Sequence, residues 1–244
     1  MSGTRPPFVL VHGAWQGNWV WERVADQLRA AGHRVYTPSL TGLGERAHLA
    51  GPEIDLETHI ADVAGVIEHH ELDGIVLCGH SYGGMVVASV ADRLSQRVKS
   101  LVFLDAFIPT PGKSLFDMQP PEMAQRMRDE AKAEGDGWRI KRLSGNYFRV
   151  ANPDDVARLD RRAVDQPIGT MDQKATITGA WETIPHLAYI RAAGHRGPFG
   201  QFGDRVRGQE KWQYFEVPCG HNVMLDMPEA LTGILLHCAA QATR

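Results

Sequence analysis

The sequence predicts an α/β fold built on a mainly parallel sheet. Three observations carry this. Short apolar runs alternate with longer segments of helical period. Glycine and proline punctuate the junctions between them. Ser81, His221 and the triplet His12-Gly13-Ala14 each follow an apolar run. They therefore sit at the carboxyl ends of strands, where open α/β sheets place their ligands.

The elements follow in order. Phe8-Val9-Leu10-Val11 is the first strand. Residues from about Trp19 to Ala31 read as a helix, stopped by Gly32. Arg34-Val35-Tyr36-Thr37 is the second strand, ended by Pro38. Asp55 to His69 is a helix, with Ile60, Val63, Ala64 and Ile67 at helical spacing. Its end at His69-His70 suits imidazoles near the negative pole of the helix and is no metal motif. Ile75 to Cys78 is the third strand, Tyr82 to Leu94 a helix and Val98 to Leu104 the fourth strand. The pattern then breaks. From about Pro109 to Trp181 the chain is polar and charged, with Pro120-Pro121, Gly135-Asp136-Gly137 and Asn152-Pro153 as breakers. Met123 to Ala133 and Pro153 to Val164 read as helices. This stretch is too long for a plain loop, so residues 109–181 are expected to form a helical cap inserted into a core of residues 1–108 and 182–244. Leu187 to Ala192 and Trp212 to Val217 resume the sheet, and Leu225 to Ala240 is the closing helix.

Composition narrows the class. A chain of 244 residues fits one domain with a sizeable core, and 43% hydrophobic with 23% charged residues is ordinary for a globular protein. A net charge of −3 gives no strong pull toward nucleic acid or a membrane surface. No apolar run is long enough to span a bilayer, and the N-terminus shows no cleavable leader pattern. Cys78, Cys219 and Cys238 are odd in number and lack metal-ligand spacing. A reducing compartment, the cytoplasm, is the expectation. No metal or other cofactor is expected, and the expected partner is a small-molecule substrate.

The chemistry centres on Gly79-His80-Ser81-Tyr82-Gly83, between an apolar run and a helix. A serine framed by glycines at a strand-to-helix junction is the pattern of a nucleophile elbow. The turn is tight enough that residues two positions away must be very small. It pushes the serine oxygen out of the sheet and frees the next backbone N–H for an anion. The motif alone is weak, since Ser81 would equally serve as a helix N-cap. Its context strengthens it. A serine hydroxyl needs an adjacent base, and His221 in Pro218-Cys219-Gly220-His221 follows the last strand. A tetrahedral intermediate needs preorganised donors, and the N–H groups of Ala14 and Tyr82 are placed to be two. His12 itself reads as a satisfied core histidine. Trp15, Trp19, Tyr82 and Phe107 are candidates to line a substrate pocket, although Trp19 has spacing that equally suits the core side of its helix. Phe116, Trp138, Tyr147 and Trp181 are expected mainly to pack the cap.

These residues also carry a resemblance. Phe8 to Trp19, Ala31-Gly32-His33-Arg34-Val35, Gly79 to Gly84 and His221-Asn222-Val223-Met224-Leu225 resemble the α/β-hydrolase subgroup of plant methylesterases and hydroxynitrile lyases. Leu104-Asp105-Ala106-Phe107-Ile108-Pro109 is similar to small bacterial esterases of that type. The resemblance covers both ends of the chain well and the cap poorly. It implies six parallel strands under a small cap, a Ser–His–acid triad and a homodimer. Two departures favour the esterase branch. Asn222 stands where the lyases carry a lysine, and Gly13 where they carry threonine. Another concerns the acid, which the family usually places after the fifth strand of the core. Here Ala192 to Gly203 contains no carboxylate, and Asp204 is expected a turn or more into a helix. Asp105, at the end of the fourth strand, is therefore the expected third member with Ser81 and His221. The alternative is a cap-turn role for Asp105 and a Ser81–His221 dyad.

The expected function is a cofactor-independent serine hydrolase acting on a small, fairly apolar carboxylic ester. Two other classes stay open at this point. One is a lyase or carbon–carbon bond-cleaving enzyme using Ser81 and His221 as an acid–base relay. The other is a binding protein of the same fold without catalysis.

Overall fold

The computed structural model describes residues 5–242. Eight strands and nine α-helices occur among them: β1 (Phe8–Val11), α1 (Glu22–Ala30), β2 (Val35–Tyr36), α2 (Leu56–His69), β3 (Ile75–His80), α3 (Gly83–Arg93), β4 (Val98–Leu104), α4 (Pro121–Glu134), β5 (Arg139–Ile140), α5 (Pro153–Arg162), β6 (Gln166–Pro167), α6 (Gly169–Asp172), β7 (His186–Ala192), α7 (Gly200–Val206), β8 (Trp212–Val217), α8 (Val223–Asp226) and α9 (Pro228–Gln241).

Six strands form one sheet in the order β2-β1-β3-β4-β7-β8, parallel throughout. β1 and β3 are buried along their whole length, as apolar strands covered on both faces must be. The strand order reverses between β1 and β3. Right-handed crossovers then put α1 and α3 on opposite faces, where α1 packs on α9 and α3 on α2. The reversal opens a crevice at the carboxyl ends of β1 and β3. α3 is buried from Gly83 through Ala91, so it forms the spine of its layer. α2 starts at Asp55, whose carboxylate accepts from the Thr58 N–H at 2.9 Å.

Several elements differ from the sequence expectation. The first helix opens with a 3-10 turn, Asn18–Trp21, before α1. β3 runs two residues further, through Gly79 and His80, because parallel pairing with β4 continues to the elbow. The closing helix is two pieces, since Met227 adopts φ −139° ahead of Pro228. The stretch between β4 and β7 is not purely helical. β5 and β6 form a two-stranded antiparallel ribbon beside α4, α5 and the short α6. α5 is tied to the core by Asp155, buried on its inner face, which takes both guanidinium nitrogens of Arg23 at 2.7 Å. Among the described residues no helix is long and apolar enough to cross a membrane.

Candidate active site

Ser81 sits between β3 and α3 with φ +56°, a left-handed conformation that costs a non-glycine residue on the order of 1–2 kcal/mol. Backbone bonds hold it there. Its N–H donates to Leu104 O at 3.2 Å, and its carbonyl accepts from Gly84 and Phe107 N–H groups. Gly83 is needed for this turn. A Cβ there would lie 2.8 Å from His12 O and 3.0 Å from Val11 O. The helix can therefore start directly against the end of β1, and the Ser81 side chain projects into a cavity.

Two residues with free backbone donors border the same cavity. Among the described residues, neither Ala14 nor Tyr82 has its N–H spent on another group of the chain. The next N–H, that of Trp15, donates to Gln166 Oε1 at 3.0 Å. His12 takes the structural role. It is fully buried, donates from Nδ1 to Gly13 O at 2.8 Å and accepts at Nε2 from Leu40 N–H at 3.1 Å. Burial lowers its pKa to about 4, so it stays neutral. The Tyr82 hydroxyl points away from Ser81. It donates to Nδ1 of buried His59, whose Nε2–H is committed to Thr41 O.

His221 lies in the loop after β8, fixed by its N–H to Phe148 O at 2.9 Å and by His80 Nε2–H donating to its carbonyl at 3.0 Å. Its Nδ1 is 2.7 Å from Asp105 Oδ2, and both residues are 1% exposed. A carboxylate accepts, so Nδ1 carries the proton and Nε2 is left as the basic nitrogen. Asp105 ends β4 with φ +40°, and its second oxygen accepts from Ala192 N–H at 3.2 Å. Burial pushes the Asp105 carboxyl up to about 7 and holds the His221 imidazole well below its usual range. The dry setting penalises an isolated charge on either partner, and the hydrogen bond between them is what offsets that penalty. Asp204 is exposed on α7, away from this pair.

The cavity, about 360 Å³, is lined by Ala14, Trp15, Ser81, Tyr82, Phe107 and His221, and roofed by Met123, Met127 and Met171. Trp19 requires a correction. It is buried, but under the guanidinium groups of Arg158 and Arg162 and outside the cavity lining. Its 3-10 turn directs it toward α5 rather than toward Ser81. Of the aromatics expected to pack the cap, Tyr147 lines the cavity, Phe116 lies beneath Arg128, Trp138 packs on Arg139, and Trp181 packs on Phe103 and Trp212. Several neighbours were not anticipated. Phe199 stacks on His221 with centroids 4.5 Å apart, Phe148 covers it at 5.4 Å, and the His195 ring lies 4.9 Å away. His195 and Phe199 come from the carboxylate-free loop after β7, whose unusual composition was the available signal.

The sequence profile described as Alpha/beta hydrolase family matches residues 8–233. The chain belongs to the α/β-hydrolase family. A carbendazim hydrolyzing esterase from Nocardioides sp. (strain SG-4G) is 41% identical, over 92% of this chain and 96% of that one. Esterase PIR7B of Oryza sativa subsp. japonica is 33% identical over 98% of this chain and 97% of its own. Among solved structures, an extracellular α/β-hydrolase from a Paenibacillus species superposes with a TM-score of 0.84 at 25% identity, covering 96% of this chain and 98% of the other. It is described as sharing structural and functional homology with tobacco salicylic acid binding protein 2. This chain's kinship is thus with the esterases of the α/β-hydrolase family, and it is an enzyme of that hydrolase class.

Proposed function

We propose that this α/β-hydrolase is a serine esterase that works through an acyl-Ser81 intermediate on a small, fairly apolar ester. The observation that carries the reading is the convergence of Ser81, two unspent N–H groups and the His221–Asp105 pair on one apolar cavity. Ser81 Oγ attacks the carbonyl carbon as His221 Nε2 takes its proton. The oxyanion is held by the Ala14 and Tyr82 N–H groups. Asp105 stabilises the resulting imidazolium, which returns the proton to the leaving alkoxide. Water, deprotonated by His221, then attacks the acyl carbonyl and releases the acid and free Ser81. Protein groups and water supply every step.

Residues 109–181 act as the cap that closes the cavity and sets specificity. The 41%-identical relative is named for hydrolysis of carbendazim. Phe107, Phe148 and Phe199 with the three methionines would suit a planar aryl or medium alkyl group. The lyase alternative gains no support here. Asn222 is fully buried with its oxygen 2.7 Å from Gln16 Nε2, and it offers no ammonium to hold a released anion. Three free cysteines suit the cytoplasm, and kinship suggests a homodimer, which gel filtration with light scattering would check.

The test is labelling with a serine-directed fluorophosphonate, with turnover of p-nitrophenyl acetate and butyrate. The expected result is one label, on Ser81, and loss of both label and turnover in Ser81→Ala. A correctly folded enzyme with neither label nor turnover would overturn the reading.

A further inference from the structure

The oxyanion loop is held in shape by the cap. Trp15, directly after the proposed donor Ala14, has φ +63°, a left-handed conformation unusual for a bulky residue. Rotating the Ala14–Trp15 peptide by about half a turn would carry Trp15 to a negative φ and relieve its left-handed strain. That rotation would also swing the Ala14 carbonyl to where the Trp15 N–H now points. Any part of the change in Ala14 ψ that Trp15 φ does not compensate would also turn the Gly13–Ala14 peptide, whose N–H is the proposed oxyanion donor. The loop has an intrinsic reason to leave the aligned state, so something must hold it.

Three hydrogen bonds do so, and all reach residues between 140 and 166. Trp15 N–H donates to Gln166 Oε1 at 3.0 Å, Val164 N–H donates to Trp15 O at 2.9 Å, and the indole N–H donates to Ile140 O at 3.2 Å. Gln166 is fully buried on β6. Its amide cannot turn around freely. Thr170 Oγ1 donates its one hydrogen to Pro167 O at 2.6 Å, so it offers only lone pairs to Gln166 Nε2 at 2.7 Å. The nitrogen of the amide must face Thr170, and the oxygen must face Trp15. A rotated Ala14–Trp15 peptide would then meet this buried oxygen with a carbonyl, acceptor against acceptor.

We propose that Gln166 is a positioning residue for the reaction. Through a one-way relay from Trp15 to Gln166 to Thr170 it holds the Ala14 N–H aligned, so the core is competent only when the β5–β6 ribbon is seated. This rests on the acyl-transfer reading above.

The experiment compares wild type, Gln166→Met and Thr170→Val. Gln166→Met keeps length and volume and removes the acceptor. Thr170→Val keeps shape and removes the hydroxyl that orients the amide. With p-nitrophenyl acetate, Gln166→Met should lower kcat about 10- to 100-fold, less than outright loss of an oxyanion donor. KM should stay within about three-fold. Affinity for an aryl trifluoromethyl ketone, which becomes a tetrahedral oxyanion on Ser81, should fall in parallel with kcat/KM. Affinity for an unreactive ether of the same shape should not. Thr170→Val should show the same pattern at about 3- to 10-fold. If Gln166→Met does not fold, Thr170→Val decides with Tyr82→Phe as its control, because the Thr170 hydroxyl also interacts with that of Tyr82. Folded variants with kcat within about two-fold of wild type, or equal weakening of both ligands, would overturn the proposal and leave Gln166 a packing residue. If the wild-type enzyme itself forms no ketone adduct, the acyl-transfer reading fails instead, before any variant is compared.

Discussion

At the scale of single residues, the charge behind His221 is the most sensitive point. Asp105 comes from the end of β4, and the loop after β7 that faces it carries His195 instead of a carboxylate. Asp105 Oδ2 is the hydrogen-bond partner of His221 Nδ1, and it sets which nitrogen carries the proton. In Asp105→Asn, the amide NH₂ turns toward His221, because the other position is held as an acceptor by Ala192 N–H. The imidazole must then present a lone pair at Nδ1 and a proton at Nε2, the wrong tautomer for a base toward Ser81. We expect kcat to fall by about 10³- to 10⁴-fold with little change in melting temperature. Steady-state kinetics beside a thermal melt would check this. Near-normal turnover would mean that Ser81 and His221 work as a dyad. His80 supports the same site from the other side, by donating to the His221 carbonyl.

At the scale of elements, the decisive feature is how closely α3 approaches the strand ends. Gly84 lies where a Cβ would come within 2.1 Å of Phe107 O and 2.9 Å of the Ala106 side chain. Both neighbours follow directly on Asp105. Gly84→Ala would have to push α3 away from the end of β4, moving Ser81 and Asp105 relative to each other. We expect a loss of more than about 2 kcal/mol of stability, together with lost activity, because the obstacle is backbone. Gly65 makes the opposite case. It lies within α2, and a Cβ there would meet nothing within 4 Å. Gly65→Ala should stabilise by about 0.5–1 kcal/mol through helix propensity and leave kcat unchanged. Paired urea denaturation curves would read both signs. Equal effects at the two positions would remove close approach as the reason for Gly84.

At the scale of the whole molecule, how far the sequence could be read follows the range of the interactions involved. The inner strands of the main sheet were legible, because burial on both faces demands continuous apolar runs such as Phe8–Val11 and the Ile75–Cys78 part of β3. The β5–β6 ribbon was not. Each strand is two residues long, too short for any period, and it is set by contacts across the chain. The site divides in the same way. Ser81 and the Gly13-Ala14 turn proposed to hold the oxyanion announce themselves through local glycine spacing. Gln166 reaches Trp15 across 151 residues, with no local pattern to mark it. The same long-range burial makes stability depend on pH. His12 and His59 are fully buried, and burial lowers each pKa from 6.5 to about 4. His80 and His221 are held well below 6.5 for the same reason. Below pH 6.5 the unfolded chain takes up protons that these folded imidazoles refuse. Their contribution is therefore complete above that pH and is lost as pH falls toward 4, about 3 kcal/mol each for His12 and His59. Asp105 runs the other way. Its raised pKa of about 7 costs stability in alkaline solution, and that cost fades on acidification. One carboxyl offsets about one imidazole, so the histidines dominate. Unfolding free energy from urea titrations should fall by several kcal/mol between about pH 7 and pH 4.5. His12→Gln should lower stability at neutral pH yet flatten that slope, since one refused proton is gone. A slope unchanged by His12→Gln would mean that the buried imidazole is not what makes the fold sensitive to acid.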